Sequence, residues 1–330
     1  MAVKLPRLTG ARIRDFAIRY AMVWVLLLVM AYFSYRSARF ATVDNVITIL
    51  VAAAPFALIA LGQTLVILTG GIDLSVGSVI AFGAMSAAWS SKWVANHFPD
   101  QPGLAIAVPV ATAVVAGAVA GCANGLIVSR LNVPPFVATL GLMTLASGLA
   151  YVIGKGAPIN GLPSNFGRIA NTAIAGVTVP VIIMAVGIVG TALLMRRTTF
   201  GLRVYAVGGN PVAADIAGVK TGRVLFAVYT ISGLLAGLSG IMLASRTING
   251  APTTGVGYEL DAIAAVVIGG ASLAGGRGTI WGTALGLFLI QTLNNGLDIL
   301  IVPAYWQKVI KGILIVTAVA VDVWASKRRE

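Results

Sequence analysis

The chain has 330 residues, of which 58% are hydrophobic and only 10% are charged. An average soluble domain has about 25% charged residues, so this composition excludes an ordinary water-exposed surface and indicates an integral membrane protein. The net charge of +13 does not indicate a nucleic-acid-binding protein, because the basic residues flank apolar runs instead of alternating with aromatic residues on a folded face.

Ten apolar runs follow one another along the chain, and a membrane-crossing helix needs about 20 such residues. The runs are 16–35, 46–69, 74–93, 104–128, 135–153, 178–195, 223–245, 259–271, 279–299 and 305–325. We therefore predict an all-α polytopic membrane protein with about ten transmembrane helices in a single domain, 1–330. The run 259–271 is short for a full crossing, so it is either a span or a re-entrant or broken helix.

The basic residues predict the orientation of these helices. An even number of crossings places both termini on one side, and positively charged loops are usually cytoplasmic. We predict that the segment 1–15, the loop 196–222 and the C-terminus are cytoplasmic, although Arg36 and Arg39 would then lie outside. The run 16–35 is long enough to span and no A-x-A cleavage site follows it, so we interpret it as a retained first helix instead of a signal peptide.

A helix break is predicted between the second and third runs. Gly70 and Gly71 end one helix, and Asp73, followed by Ser75 and Gly77, is placed to cap the next. Two interpretations stay open: a tight turn at the membrane surface, or an element of solute passage, because an ionisable residue at a helix break in a transporter is a candidate functional residue.

The basic loop 196–222 contains a second predicted feature, a short capped helix. Asn210 is a good N-cap, Pro211 suits the first helical position, and Gly218 suits the residue after a helix end. The small face formed by Ala213, Ala214 and Ala217 is suited to docking against another protein; packing on its own bundle is the alternative. The segment comprises Gly208, Gly209, Asn210, Pro211, Ala213, Ala214, Asp215, Ala217 and Gly218.

A third interruption, at 269–278, resembles the first. Gly70 aligns with Gly269 and Gly71 with Gly270, which either reflects an internal duplication of the kind found in transporters or is a coincidence in a glycine-rich chain.

Polar residues within the apolar runs are few, and each serves either a helix–helix hydrogen bond or a solute path. They are Gln63, Thr64, Asn124, Thr139, Gln291, Asn294 and Asn295.

No catalytic or metal-binding pattern is found in the sequence. The single histidine, His97, falls in a predicted external loop, and the single cysteine, Cys122, lies inside an apolar run. There is no His/Glu cluster, no pair of intramembrane carboxylates and no Ser/His/Asp arrangement. We therefore predict that the chain is not an enzyme and binds no metal and no cofactor.

The sequence resembles the permease subunit of ribose-type ABC importers, a bacterial monosaccharide uptake family, over nearly its whole length. The resemblance rests on residues 64–77 (TLVILTGGIDLSVG), 135–140 (PFVATL), 257–270 (GYELDAIAAVVIGG) and 294–297 (NNGL). It implies an inner-membrane subunit that forms a translocation pathway for a sugar. The sugar itself stays open among pentoses, hexoses and polyols.

The resemblance also implies partners. These are a second permease, identical or homologous, a periplasmic sugar-binding protein and a cytoplasmic ATPase subunit that uses ATP and Mg. The segment 208–218 would then be the coupling helix that receives the ATPase. The candidates for the pathway or its helix breaks are Gly70, Gly71, Asp73, Ser75, Gly77, Asn124, Glu259, Asp261, Asn294 and Asn295. The alternative function is a self-sufficient secondary transporter or channel for a small polar solute.

Overall fold

The computed structural model describes residues 21–327, apart from the side chains of residues 318 and 321–327. The predicted cytoplasmic segment 1–15 lies outside the described residues. The helices are α1 (Ala21–Arg36), α2 (Val43–Leu68), α3 (Val76–His97), α4 (Leu104–Arg130), α5 (Pro135–Ile153), α6 (Ser164–Asn171), α7 (Val179–Arg197), α8 (Thr199–Gly209), α9 (Pro211–Ile216), α10 (Thr221–Thr247), α11 (Tyr258–Ile268), α12 (Ile280–Ile299) and α13 (Ala304–Lys327).

Each of the ten apolar runs corresponds to one helix, so the prediction of an all-α membrane protein is confirmed. Within the described residues, five helices are long and apolar enough to cross a membrane: α2, α4, α5, α7 and α10. The one departure from helix in the named elements is a hairpin of two short strands, β1 (Ala173–Ile174) and β2 (Val177–Thr178). Its turn has positive φ at Ala175 and Gly176, as a tight two-residue hairpin requires.

Helix α2 lies at the centre of the bundle. Every residue from Ala53 to Leu68 is buried, and the helix contacts α10, α7, α12 and α11. A helix that is apolar on all sides is stable only when neighbours surround it. The position of α2 therefore brings its C-terminal end, and the chain that follows, into the interior.

The most extensive helix–helix contact joins α4 to α10 through glycines. Gly117 and Gly121 of α4 lie against the backbone of Gly233 and Gly237 on α10. Since small residues let membrane helices approach closely where the hydrophobic effect no longer drives association, this spacing explains part of the high glycine content. A side chain at these contacts would force the two helices apart.

One end of the bundle carries Arg196, Arg197, Arg203, Lys220 and Arg223, between the last turn of α7 and the first turn of α10. We call this the basic end. At the opposite end, α6 is tied to the last turns of α10, because Ser245 Oγ donates to Phe166 O at 2.7 Å and accepts from Ala170 N at 2.9 Å. Arg36 ends α1 near the last turns of α12, since Phe33 packs on Gly296.

Helix α11, which corresponds to the eighth run, is continuous but only about half as long as a full crossing. Its 11 residues span about 16 Å, against a hydrocarbon core of about 30 Å. The non-helical segment 248–257 precedes it and runs along α3, with Gly250 beside Ala88 and Gly255 beside Ile80. The stretch 248–268 therefore combines irregular chain with a short helix, and α11 begins next to the start of α3.

Candidate functional site

The first helix break, residues 69–75, is held in the interior by the Asp73 side chain. Its Oδ1 accepts hydrogen bonds from Ser75 N at 2.9 Å and Ser75 Oγ at 2.6 Å. Its Oδ2 accepts from Ser232 Oγ on α10 at 3.0 Å. Asp73 is fully buried, so the break lies inside the bundle. The prediction that Asp73 caps α3 is wrong: the N-cap residue is Ser75, which makes no side-chain cap hydrogen bond, and the Asp73 carboxylate binds Ser75 and Ser232 instead of an N–H group of α3.

Polar side chains from three other helices complete this support. The Gln63 carboxamide, with its nitrogen facing Asp73 O, donates to that carbonyl at 3.1 Å and accepts from Asp73 N at 3.2 Å. Asn124 Nδ2 donates to Ser75 Oγ at 2.9 Å, and Thr139 Oγ1 donates to Ile72 O at 3.2 Å. Three of the seven polar residues singled out in the apolar runs therefore meet at the break.

The break lies about halfway along the bundle. Ser232, which binds Asp73, is near the middle of the 27-residue α10. Tyr229, one turn earlier, is also buried. Its hydroxyl group lies directly against Gly71, since a Cβ added at Gly71 would be only 2.5 Å from the hydroxyl oxygen. Buried polar atoms normally find a partner, yet Tyr229 Oη and Asn124 Oδ1 have none among the described residues. The break therefore presents unused hydrogen-bonding capacity at mid-depth.

The second break, between α11 and α12, starts with the same backbone pattern as the first. Gly70 N and Gly71 N donate to Ile67 O and Val66 O at 2.9 and 3.1 Å. Gly270 N and Ala271 N donate to Val267 O and Val266 O at the same two distances. Gly70 and Gly270 both have positive φ, which glycine adopts without steric cost. The predicted pairing of Gly70 with Gly269 is thus wrong by one residue, because the helix ends set the register.

The three interruptions meet at the C-terminal end of α2, where the first break begins. Gly276 N of the second break donates to Leu68 O at 2.9 Å. A Cβ at Gly208, near the end of α8, would clash with that same carbonyl. A Cβ added at Gly276 would lie 2.9 Å from Gly209 Cα. A Cβ added at Gly275 would likewise lie 2.9 Å from Gly70 N. We call this contact the glycine junction: Leu68, Gly70, Gly208, Gly275 and Gly276.

Tyr205 of α8 adds a side-chain contact to the junction, because its hydroxyl donates to Gly278 O at 2.9 Å. Burial raises the pKa of the Tyr205 hydroxyl above its ordinary value, against a weaker opposing effect of Arg196. The hydroxyl therefore stays protonated and keeps donating at neutral pH. Neither α8 nor its contact with the second break was predicted, since the capping residues of the loop 196–222 predict only one short helix.

The acidic residues of α11 face two different neighbours. The Glu259 carboxylate accepts from Gly257 N at 3.2 Å and lies against Gly77 in the first turn of α3. Asp261 Oδ2 forms an ion pair with Lys311 Nζ of α13 at 2.8 Å. Lys311 was not predicted as a site residue, although an ionisable residue inside an apolar run is a signal for such a partner.

The asparagines predicted on α12 have separate environments. Asn295 and Asn45 of α2 exchange two hydrogen bonds of 2.9 Å, so Asn295 joins helices. Asn294 Oδ1 is buried without a partner among the described residues, as is Gln291 Nε2 one turn earlier. Thr64 Oγ1 lies 2.8 Å from Thr283 Oγ1, a further contact between α2 and α12.

The capped helix in the basic loop forms as predicted. It is α9, in which Asn210 Oδ1 accepts from Ala213 N at 2.9 Å, Pro211 is the first residue, and Gly218 has positive φ after the end. One part of the prediction is wrong: Ala214 is buried, because it faces the bundle.

The exposed face of α9 is more apolar than predicted. Ala213 and Ala217 are exposed together with Val212 and Ile216, the last of which is 84% exposed. Val212 and Ile216 were missed, although apolar residues in a basic loop are the signal that would have found them. Large exposed apolar side chains at an end of a membrane bundle are suited to a protein partner.

Within residues 21–327, no group of three or more His, Cys, Asp or Glu residues could hold a metal ion. The two buried aspartates have different partners: Asp73 of the first break binds hydroxyl and amide groups, and Asp261 in the first turn of α11 binds Lys311. This arrangement can present hydrogen-bonding groups and fixed charges to a polar solute.

Comparisons with known proteins agree with this architecture. Residues 45–319 match the family model described as "Branched-chain amino acid transport system / permease component". The chain is 44% identical over 282 residues to the ribose import permease protein RbsC of Bacillus subtilis (strain 168), covering 84% of each protein. It is 41% identical over 301 residues to RbsC of Escherichia coli (strain K12), covering 90% of this chain and 91% of that protein.

A relative with another sugar in its name is the galactose/methyl galactoside import permease protein MglC of Escherichia coli (strain K12), 35% identical over 308 residues, or 90% of this chain and 92% of that protein. No solved structure matches the chain. Since the family model covers well over half of its length, the chain belongs to this family of transport-system permease components and is a multi-pass membrane protein.

Proposed function

We propose that the chain is the transmembrane permease subunit of a bacterial ATP-driven, binding-protein-dependent importer of a monosaccharide, a ribose-like pentose or a related sugar. The observation that carries the proposal is the similarity to two ribose import permeases, at 41–44% identity over 84–90% of the chain. The galactose-type relative at 35% identity supports a monosaccharide as the class of substrate, with ribose as the first sugar to test.

In this proposal, ten helices cross the bacterial inner membrane and both termini are cytoplasmic. The basic end faces the cytoplasm, because basic loops are retained there. The irregular segment 248–257 and α11 together make one crossing. Irregular backbone at membrane depth is tolerated where protein buries it or where it lines a cavity, and Gly250 and Gly255 lie against α3.

The translocation pathway runs along the two helix breaks. Tyr229 Oη and Asn124 Oδ1 beside the first break, and Asn294 Oδ1 on α12, supply hydrogen-bonding atoms without partners among the described residues. Sugar hydroxyls are suitable partners for such atoms. Asp73, Glu259 and Asp261 act indirectly: they fix the helix ends that border the pathway. Gly70, Gly71, Ser75, Gly77 and Asn295 give those ends their shape.

Helix α9 is the site where a cytoplasmic ATPase subunit docks, and that subunit binds the ATP and Mg. The support is the exposed apolar face of α9, together with its covalent link through Gly209 and Gly208 to the glycine junction. A push on α9 would therefore reach both helix breaks. A second permease, identical or homologous, and a periplasmic sugar-binding protein complete the importer.

Sugar uptake into membrane vesicles tests this function. Vesicles that contain the chain and its ATPase should accumulate radiolabelled ribose only when ATP is inside and a loaded ribose-binding protein is outside. Vesicles with the chain alone, with or without a proton or sodium gradient, serve as the control. Accumulation by the chain alone would overturn the proposal in favour of a secondary transporter or channel.

A further inference from the structure

Two adjoining cavities open at the basic end, where α4, α8, α9 and α10 come together. The larger, of about 530 Å³, lies between the end of α4 and the start of α10 and is lined by Arg130, Lys220 and Arg223. The smaller, of about 350 Å³, is lined by Arg203 and shares Lys220 and Arg223 with the first. Four cationic side chains therefore surround one continuous region.

These charges are not compensated within the described part of the chain. The single carboxylate among the lining residues is Asp215. The one ion pair found in residues 21–327 is that of Lys311 with Asp261, which is in a different part of the bundle. With four cations and one carboxylate, the region carries an excess of three positive charges, and like charges held together favour binding of an anion.

The floor of the cavities is apolar. Leu126, one turn before the end of α4, and Phe226, near the start of α10, line the larger cavity below Arg130 and Arg223. Phe200 and Val224 line the smaller one. Leu126 is 45% exposed, as expected for a side chain that faces acyl chains on the outside of the bundle. The region thus offers cations at the helix ends and an apolar surface one turn deeper.

From this arrangement we propose that the cavities bind the headgroup of an anionic phospholipid from the leaflet at the basic end. Basic pockets between transmembrane helices recognise anionic headgroups, and the phosphate would lie among Arg130, Lys220 and Arg223 while the acyl chains pass Leu126 and Phe226. A soluble anion would use the cations but not the apolar floor. Because Lys220 is the N-cap of α10 and Arg223 lies in its first turn, a bound lipid would hold α9 and α10 together.

Native mass spectrometry of the purified, delipidated full chain tests the proposal. The chain is titrated with phosphatidylglycerol or with phosphatidylcholine of the same acyl chains. Phosphatidylglycerol should bind more tightly, and Arg130→Gln or Arg223→Gln should each weaken its binding about fivefold, the effect expected for one cation near an anionic surface. Asp215→Asn should strengthen it by a similar factor, since it removes the opposing carboxylate. Arg197→Gln is the matched control, because Arg197 is exposed at the same end and lines neither cavity.

Three outcomes would overturn the proposal. Equal binding of the two lipids would show that the charges select no headgroup. The same loss in Arg197→Gln as in Arg130→Gln would show a diffuse attraction without a defined site. Displacement of phosphatidylglycerol by an equal concentration of inorganic phosphate would show a site for free anions. Thermal unfolding of each variant confirms that the weaker binding does not come from an unfolded chain.

Discussion

A buried carboxylate inside a membrane bundle is costly unless its oxygens are hydrogen-bonded or paired with a cation. Asp73 meets this requirement without a cation, because Ser75 N, Ser75 Oγ and Ser232 Oγ all donate to it. The serines come from α10 and from the break itself. Asp73 therefore ties the first break to a neighbouring helix at mid-depth.

Replacing Asp73 tests this support. Asp73→Ala leaves three donors without their acceptor, and we expect the free energy of unfolding to fall by about 1–3 kcal/mol, with a loss of sugar uptake. Asp73→Asn should be milder, because its amide oxygen still accepts from Ser75 N and its nitrogen can donate to Ser232 Oγ. Thermal unfolding and vesicle uptake measure both effects. Asp100→Ala, at an exposed loop position, is the control, and equal behaviour of the three variants would contradict the account.

The ion pair between Asp261 and Lys311 permits a second test. Asp261→Asn leaves the partly buried ammonium of Lys311 without its partner. Lys311→Met leaves the carboxylate of Asp261 without its partner. Breaking a fully buried pair costs about 3–5 kcal/mol; since the Lys311 side chain is 26% exposed, we expect about 1–3 kcal/mol for each single variant. The double variant should recover most of this loss, because neither charge is then left alone.

Chemical unfolding of the four proteins in this cycle measures the coupling. Lys308→Met is the matched control: Lys308 lies one turn earlier on α13, is exposed, and has no ion pair among the described residues. Purely additive losses in the double variant would mean that the pair does not contribute to stability.

For single residues, the sequence patterns identified the side chains that lie at the site. They did not identify the residues that those side chains contact. Gln63, Asn124 and Thr139 stood out because polar residues are rare in apolar runs, and they meet at the first break. Their partners could not be predicted, since each contact joins helices that are distant in sequence. Lys311, 50 positions from Asp261, was missed for the same reason.

At the scale of whole elements, local signals determined the helix boundaries well. The cap of α9 follows directly from Asn210, Pro211 and Gly218, because capping depends on neighbouring residues alone. The burial of Ala214 depends on how α9 sits on the bundle, and no local pattern contains that information. The glycine junction likewise arises from three segments brought together by the fold.

Because of the contacts in the glycine junction, we expect Gly208→Ala and Gly209→Ala to have different effects on sugar uptake. Gly208→Ala should push α8 away from Leu68 O, since a Cβ there would overlap with that carbonyl, and overpacking of this kind costs about 1–3 kcal/mol. Gly209→Ala places a Cβ in open space and is the matched control. We expect Gly208→Ala to lower sugar uptake far more than ATP hydrolysis, because the ATPase still docks on α9 while the push no longer reaches the breaks.

Uptake and ATP hydrolysis measured on the same vesicles decide this prediction. Gly209→Ala should keep the wild-type ratio of sugar imported to ATP hydrolysed. An unchanged ratio in Gly208→Ala, in a chain that unfolds at the wild-type temperature, would show that the junction does not transmit movement between α9 and the breaks.

At the scale of the whole molecule, the two ends of the bundle differ in charge and in structure. The basic end carries α8, α9 and the glycine junction, whereas the opposite end is closed by α6 and the short hairpin. Composition predicted the helical membrane bundle because so few charges cannot form a water-exposed surface. It could not predict this division, which depends on where the connecting segments fold back.

We propose that the chain provides the passage and that an ATPase attaches at α9. Disulfide cross-linking tests this attachment, with Cys122→Ser as the background and cysteines placed along α9 and in the ATPase subunit. Ala213→Cys, at an exposed position, should cross-link to the ATPase in the assembled importer. Ala214→Cys, one residue on but buried, should not. Failure of Ala213→Cys to cross-link in a complex that still imports sugar would contradict the account.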